Sequence, residues 1–271
     1  MHRLAVQQIK SMLVDAHCHL SDEQFTNDLD AVIARAQGAG VTAIITAGAD
    51  VESSRAAVGL AERYEIIYAV VGIHPEHATA FDDASCEAIR QLASHRKVVG
   101  IGEIGLDLYW QNNPPRETQE RALIAQLDLA AELGKPVVIH NRNAHNELMA
   151  ILGRGVLLNA PTPRGILHCF SGDLAMARQA IDLGFLISFA GNVTFKNAQP
   201  LQDIAQALPL DRITIETDAP YLSPMRGKRN EPANVARVVE KIAELENVES
   251  SVVSQATTQN SGRLFGLKID K

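Results

Sequence analysis

His17 and His19 stand two residues apart at the end of the apolar run Leu13-Val14. An extended strand points such residues to one face, so both imidazoles can reach a single cation. In a chain with nine histidines, one such pair is a weak signal on its own. The signal strengthens because Glu103 ends the fourth apolar run, His140 the fifth and His168 the sixth, while Asp218 follows the eighth. A polar strand end explains one such residue. It does not explain six ligand-type side chains in one register.

Four imidazoles and two carboxylates are nitrogen and oxygen donors, suited to Zn, Mn or Fe, or to Mg with more carboxylate and water. Six protein ligands on one ion would leave little room for water or substrate, so the expected cofactor is a pair of divalent ions (Mg, Mn or Zn). Glu103 is the expected bridge, because a carboxylate offsets the repulsion between two cations. Two ions at roughly 4 Å generate hydroxide at neutral pH and stabilise both the attacking and the leaving oxygen of a phosphoryl displacement. The expected reaction is therefore hydrolysis, with Glu103 bridging and Asp218 acting as ligand and proton acceptor. The same hydroxide can attack a carbonyl carbon, which keeps open a deacylase or esterase, for example on aminoacyl-tRNA. A non-catalytic scaffold would have shed ligands, and none is lost.

The elements that must carry these residues alternate. Expected strands are Leu13 to His17, Val41 to Thr46, Ile66 to Gly72, Val98 to Glu103, Pro136 to His140, Gly165 to Cys169, Phe185 to Phe189 and Arg212 to Thr217. Helical patterns separate them, such as Arg116 to Leu133 with Gly134 as a stop before Pro136. Strands alternating with helices imply a parallel sheet. Eight such units in 271 residues imply a single-domain (β/α)8 barrel, a fold of about 250 residues with its site at the C-terminal ends of its strands. Residues 1–11 read as an extension, with Met12 a possible alternative start, and 12–267 as the barrel.

Composition narrows the setting. No apolar run approaches the roughly 18 residues of a membrane helix, and the N-terminus lacks a secretory apolar region, so a cytoplasmic enzyme is expected. Cys18, Cys86 and Cys169 show no CxxC spacing and are expected to be free thiols. Cys18 and Cys169 each neighbour a ligand histidine and should therefore face the helical layer. A net charge of −7 disfavours a long nucleic-acid groove and leaves room for a grip on few phosphates. Nothing in the sequence calls for an obligate protein partner.

The ordered motifs resemble the TatD family of metal-dependent deoxyribonucleases over nearly the whole chain. They are Asp15-Ala16-His17-Cys18-His19-Leu20, Gly72-Ile73-His74-Pro75, Gly102-Glu103-Ile104-Gly105-Leu106-Asp107, His140-Asn141-Arg142, His168-Cys169-Phe170-Ser171-Gly172, Glu216 to Leu222 and Arg229-Asn230-Glu231-Pro232. The resemblance implies that His17, His19, Glu103, His140, His168 and Asp218 are the metal ligands, and that nucleotides are released from DNA 3′ ends. Family members usually carry an acid where this chain has Asn143.

Other residues are candidates for the substrate. His74 lies in a turn on the ligand face and can meet a phosphate or an ion. Arg142 shares the parity of His140 and can hold a phosphate bidentately, or else pair with Glu216. Glu216 itself lies one layer below Asp218 and reads as a structural partner. The basic run 226–230, with Arg229 and Asn230, follows the last strand, where barrels often hold phosphate. Tyr109 and Trp110 sit on a loop at the same face, able to stack a base or pack the rim. His145 opens a helix after Asn141, and His2, His77 and His95 read as surface.

Overall fold

A computed structural model of the chain describes residues 12–155 and 163–268. The first half runs β1 (Leu13–Cys18), α1 (Leu29–Gly38), β2 (Val41–Ala47), α2 (Val51–Arg63), β3 (Ile67–Val71), α3 (Asp83–Ala93), β4 (Val98–Asp107) and α4 (Arg116–Leu133). The second half runs β5 (Val137–Arg142), α5 (His145–Leu152), β6 (Gly165–Leu167), α6 (Leu174–Asp182), β7 (Phe185–Phe189), α7 (Gln199–Ala207), β8 (Ile213–Ile215), α8 (Val235–Glu246) and α9 (Ser250–Phe265). The strands pair in sequence order, each parallel to the next. Hydrogen bonds close the seam between β8 and β1: Asp218 donates its N–H to the His17 carbonyl at 3.0 Å, and His19 donates to Ala219 at 2.7 Å. This is the expected (β/α)8 barrel. Among the described residues no helix is long and apolar enough to cross a membrane. The expected N-terminal extension lies outside the described residues.

Alternation along the strands divides the core into two shells. Ile67, Ala69, Ile101, Ile139, Ile187 and Ile215 join the shell beneath the helices. Ala16, Ile45, Val70, Val138, Ile166 and Leu186 form a smaller cluster with Leu264 and Phe265 of α9. On β5 this places His140 and Arg142 on the side of Val138, since residues two apart share a face.

Helix boundaries follow local chemistry. α4 spans the expected residues and stops at Gly134, whose φ of 62° suits glycine. α2 and α3 each begin with a reciprocal cap, Asp50 with Ser53 and Asp82 with Ser85.

Several strand ends differ from expectation. β4 runs past Glu103 to Asp107, β6 stops at Leu167 and β8 at Ile215. Cys169 and Asp218 take left-handed conformations, with φ of 43° and 55°, and such turns end a ladder. His168 and Asp218 therefore sit on the turns that cap their strands.

Gly105 shows how tightly β4 meets β5. Its φ is +154°, and a Cβ there would lie 1.9 Å from the His140 carbonyl oxygen. Gly105→Ala should cost at least about 3 kcal/mol, combining backbone strain with a clash against main chain. Urea unfolding measures this, and a loss under about 1 kcal/mol would show that the β4–β5 register can relax.

Candidate metal centre

Glu103 is the hub of the centre, and its two carboxylate oxygens face different histidines. Oε2 lies 3.3 Å from His17 Nε2 and 3.5 Å from His19 Nε2. Oε1 lies 2.7 Å from His168 Nε2, 2.8 Å from His140 Nδ1 and 3.4 Å from His74 Nε2. Asp218 stands on the Oε2 side, its Oδ1 being 3.5 Å from His19 Nε2 and 3.8 Å from His17 Nε2. All six expected ligands thus come together from β1, β4 and β5 and the turns after β1, β6 and β8, and His74 joins them.

The donor set fits divalent cations. Ligand atoms gather within 4.8 Å of one another in three groups: His17, His168 and Asp218; His17, His19 and Glu103; His74, Glu103 and His140. Imidazole nitrogens face each other at 3.2 Å for His17 and His19, and at 3.3 Å for His140 and His168. Two facing ring nitrogens can share only one proton, so a cation between such lone pairs and a buried carboxylate resolves the repulsion.

The electrostatics favour an anionic hub. Burial opposes the charge of Glu103, but the fields of His168, His74 and His17 and the hydrogen bond with His140 outweigh it and hold its pKa well below the usual range. Burial likewise opposes the charge of Asp218, yet His19, His168 and His17 keep its carboxyl low. Burial opposes the charged form of His168, and Glu103 and Glu216 overcome it, raising its pKa well above the ordinary value.

A layer of acids orients the histidines of the centre. Asp107 Oδ2 lies 3.1 Å from His140 Nε2, which turns Nδ1 of the same ring toward Glu103. Asp107 is not among the residues expected at the site, although its position four residues after Glu103 on one strand carries the parity signal. Glu216, the expected structural partner, lies 3.4 Å from His168 Nδ1 and accepts hydrogen bonds from the Cys169 N–H at 2.6 Å and the Ser188 hydroxyl at 2.5 Å. Asp15 is fully buried and accepts from the Thr217 N–H at 2.8 Å and its hydroxyl at 2.5 Å, tying β1 to the turn that carries Asp218.

A cavity of ≈ 790 Å³ opens above the centre, within the range of about 300–1,000 Å³ typical of ligand pockets. His74 and Arg142 line it, together with Trp110, Asn141 and Tyr221. The guanidinium of Arg142 lies over the Tyr109 ring, 4.0 Å from its centroid, and makes no ion pair with Glu216.

Two expected substrate residues are placed elsewhere. Arg229 holds Asp28 through two hydrogen bonds of 2.8 Å, donates to the Gln24 carbonyl and covers the Phe25 ring, so its charge is used within the fold. Asn230 is buried and donates to the carbonyls of Thr217 and Tyr221 at 2.8 and 2.7 Å, pinning the loop after β8.

Cys18 is buried beneath the helices, as expected, with its thiol 3.6 Å from the Ile45 carbonyl. Cys169 is a correction: it lines the cavity, because the left-handed turn after β6 breaks strand alternation. His77 also lines the cavity, whereas His145 meets Asn141 at 2.7 Å and His95 pairs with Glu62 at 3.3 Å. Asn143 occupies a left-handed turn, φ 54°, a conformation that Asn tolerates, and is not part of the cavity lining.

Comparison with known proteins places this geometry. The sequence profile described as TatD related DNase matches residues 14–266. A Bacillus subtilis protein named uncharacterized metal-dependent hydrolase YabD is 41% identical over 256 residues, covering 94% of this chain and 99% of the relative. A Klebsiella pneumoniae protein named 3′-5′ ssDNA/RNA exonuclease TatD is 35% identical over 265 residues, covering 95% and 99%. The crystal structure of the TatD homologue YjjV from Escherichia coli superposes with a TM-score of 0.89 at 35% identity, covering 96% of this chain and all (100%) of that one. The chain belongs to the TatD-related DNase family and is a metal-dependent hydrolase acting on ester bonds.

Proposed function

We propose that this hydrolase removes nucleotides from the 3′ end of single-stranded DNA with two divalent ions in its centre. The observation that carries the two-ion reading is the division of Glu103, whose Oε2 faces His17 and His19 while Oε1 faces His140 and His168. His17, His19 and Asp218 would hold one ion with Oε2, and His140 and His168 the other with Oε1. When bound, such ions acidify water and offset charge on phosphate oxygens, the demands of phosphodiester hydrolysis. The name of the Klebsiella relative supports a strand end as substrate.

The chain's own groups have distinct parts in this reading. Asp218, kept anionic at the cavity surface, accepts the proton of the attacking water. His74 stands at the edge of the Oε1 side and donates to a phosphate oxygen of the bound strand. Arg142 supplies the cation of the cavity wall. The test is metal-dependent release of mononucleotides from single strands with free or blocked 3′ ends, run beside aminoacyl-tRNA. Equal cleavage of blocked ends or closed circles overturns the end-directed reading, and release of amino acid alone moves the chemistry to a carbonyl.

An end pocket with few cations implies weak salt dependence. Single strands give a slope of about −0.7 per neutralised phosphate, so log affinity against log salt should have a magnitude of roughly 2 or less. Arg142→Ala should flatten the slope by about 0.7 and raise KM. Arg229→Ala should leave the slope unchanged, since its guanidinium is committed to Asp28. A salt series of single-turnover hydrolysis checks all three, and a steep slope would mean an extended binding surface.

A further inference from the structure

We propose that Trp110 and Tyr109, with Arg142, form a subsite that stacks an unpaired nucleobase of the strand whose end lies at the metal centre. This rests on the exonuclease reading and adds to it the feature of the strand that is recognised, namely a free base face.

The exposed large hydrophobic residues among those described are Tyr109, Trp110, Tyr221, Val248 and Val252. Both residues of this set that line the cavity, Trp110 and Tyr221, are aromatic, and Tyr109 packs edge-on against Trp110 with ring centroids 4.7 Å apart. Trp110 is 52% exposed and lines the cavity, so the ring is not spent on sealing the rim. A tryptophan left half in water forfeits the burial that its size would otherwise provide.

The cluster is held in register with the catalytic centre. Asp107 accepts the Tyr109 N–H at 3.0 Å through Oδ1, while its Oδ2 faces His140 Nε2. Leu108 donates to the Arg142 carbonyl at 2.9 Å. The guanidinium of Arg142 lies 4.0 Å from the Tyr109 centroid and 5.2 Å from that of Trp110, and it makes no hydrogen bond or ion pair with another described side chain. Its N–H groups therefore remain available to a phosphate beside an aromatic face, a spacing that one nucleotide spans between phosphate and base. A chain of net charge −7 needs affinity that does not depend on accumulated cations, and stacking supplies it for any base. In a duplex both faces of an internal base are already stacked, so an unpaired strand is selected.

Trp110 is the only tryptophan in the chain, so intrinsic fluorescence reports this subsite directly. The enzyme is loaded with Mg²⁺ or Zn²⁺ and titrated with a thymidine tetranucleotide whose last linkage is a non-hydrolysable methylenephosphonate. An abasic strand with the same phosphates serves as the comparison. Saturable quenching by the thymidine strand and none by the abasic strand is expected. Removing the bases, or replacing Trp110→Ala, should weaken binding by roughly 5- to 150-fold, read by anisotropy of a labelled strand. Making both changes should be no worse than either alone, and Trp110→Phe should restore most of the affinity. Equal binding of both strands, or unchanged affinity in Trp110→Ala, overturns the subsite. Hydrolysis of the unmodified strand is scored on the same preparation: hydrolysis without quenching refutes the subsite alone, and absence of hydrolysis refutes the exonuclease reading beneath it.

Discussion

Glu103→Ala should lose paired metal binding, retaining at most one ion per chain by elemental analysis, and should lose hydrolysis by at least about a thousandfold. The carboxylate lies within 3.5 Å of nitrogens from His17, His19, His74, His140 and His168, so its removal leaves five imidazoles converging on a site with no shared anion. Two cations cannot sit close together without that charge between them. Metal ions supply several kcal/mol of transition-state stabilisation, and each 1.36 kcal/mol is tenfold in rate, which sets the expected loss. Glu103→Gln keeps the shape and should fail almost as badly, separating charge from packing. Retention of both ions in either variant, with the fold intact by circular dichroism, would sink the bridging assignment.

Asp218→Asn should lower kcat by about 10²- to 10⁴-fold, the range that a positioned proton acceptor contributes, with the fold unchanged. The substitution is well suited to the site because Asp218 has a φ of 55°, and Asn adopts the left-handed region readily. Its backbone N–H still bonds the His17 carbonyl, so the seam between β8 and β1 survives. What disappears is the negative charge that His19 and His17 face at 3.5 and 3.8 Å. Unfolding midpoints near the native value together with the fall in kcat would confirm a chemical role. A kcat within tenfold of the native enzyme would assign the proton to another group.

Much of this centre is written along single strands. The apolar runs mark where strands must lie, and the polar candidate ligands that end five of the eight runs mark which end opens to solvent. α4 is legible to the residue because helical periodicity, a glycine stop and a following proline all act within a few residues. His17, His19, Glu103, His140, His168 and Asp218 are legible for the same reason: each lies on its own strand or at that strand's C-terminal end, and the barrel needs only to close to bring them together.

What the chain order alone does not settle is the partner of a side chain that leaves its own element. Arg229 reads as a phosphate-binding cation in the string, but the segment leading into α1 supplies Asp28 and the Gln24 carbonyl as its partners. Asn230 reads as a substrate-binding residue in the string, yet the carbonyls of Thr217 and Tyr221 claim its amide. Alternation predicts Cys169 under the helices, but alternation holds only while the ladder lasts, and β6 ends before it. Asp107 lies on a strand that proved longer than its apolar run, and its use depends on His140 from the neighbouring strand. Periodicity is a property of one element and can be read from a string. Pairing across elements depends on distances that only closure of the barrel creates, which is why the candidate ligands and the inward parity of Glu216 are legible in the string while the pairing of Asp107 with His140 is not.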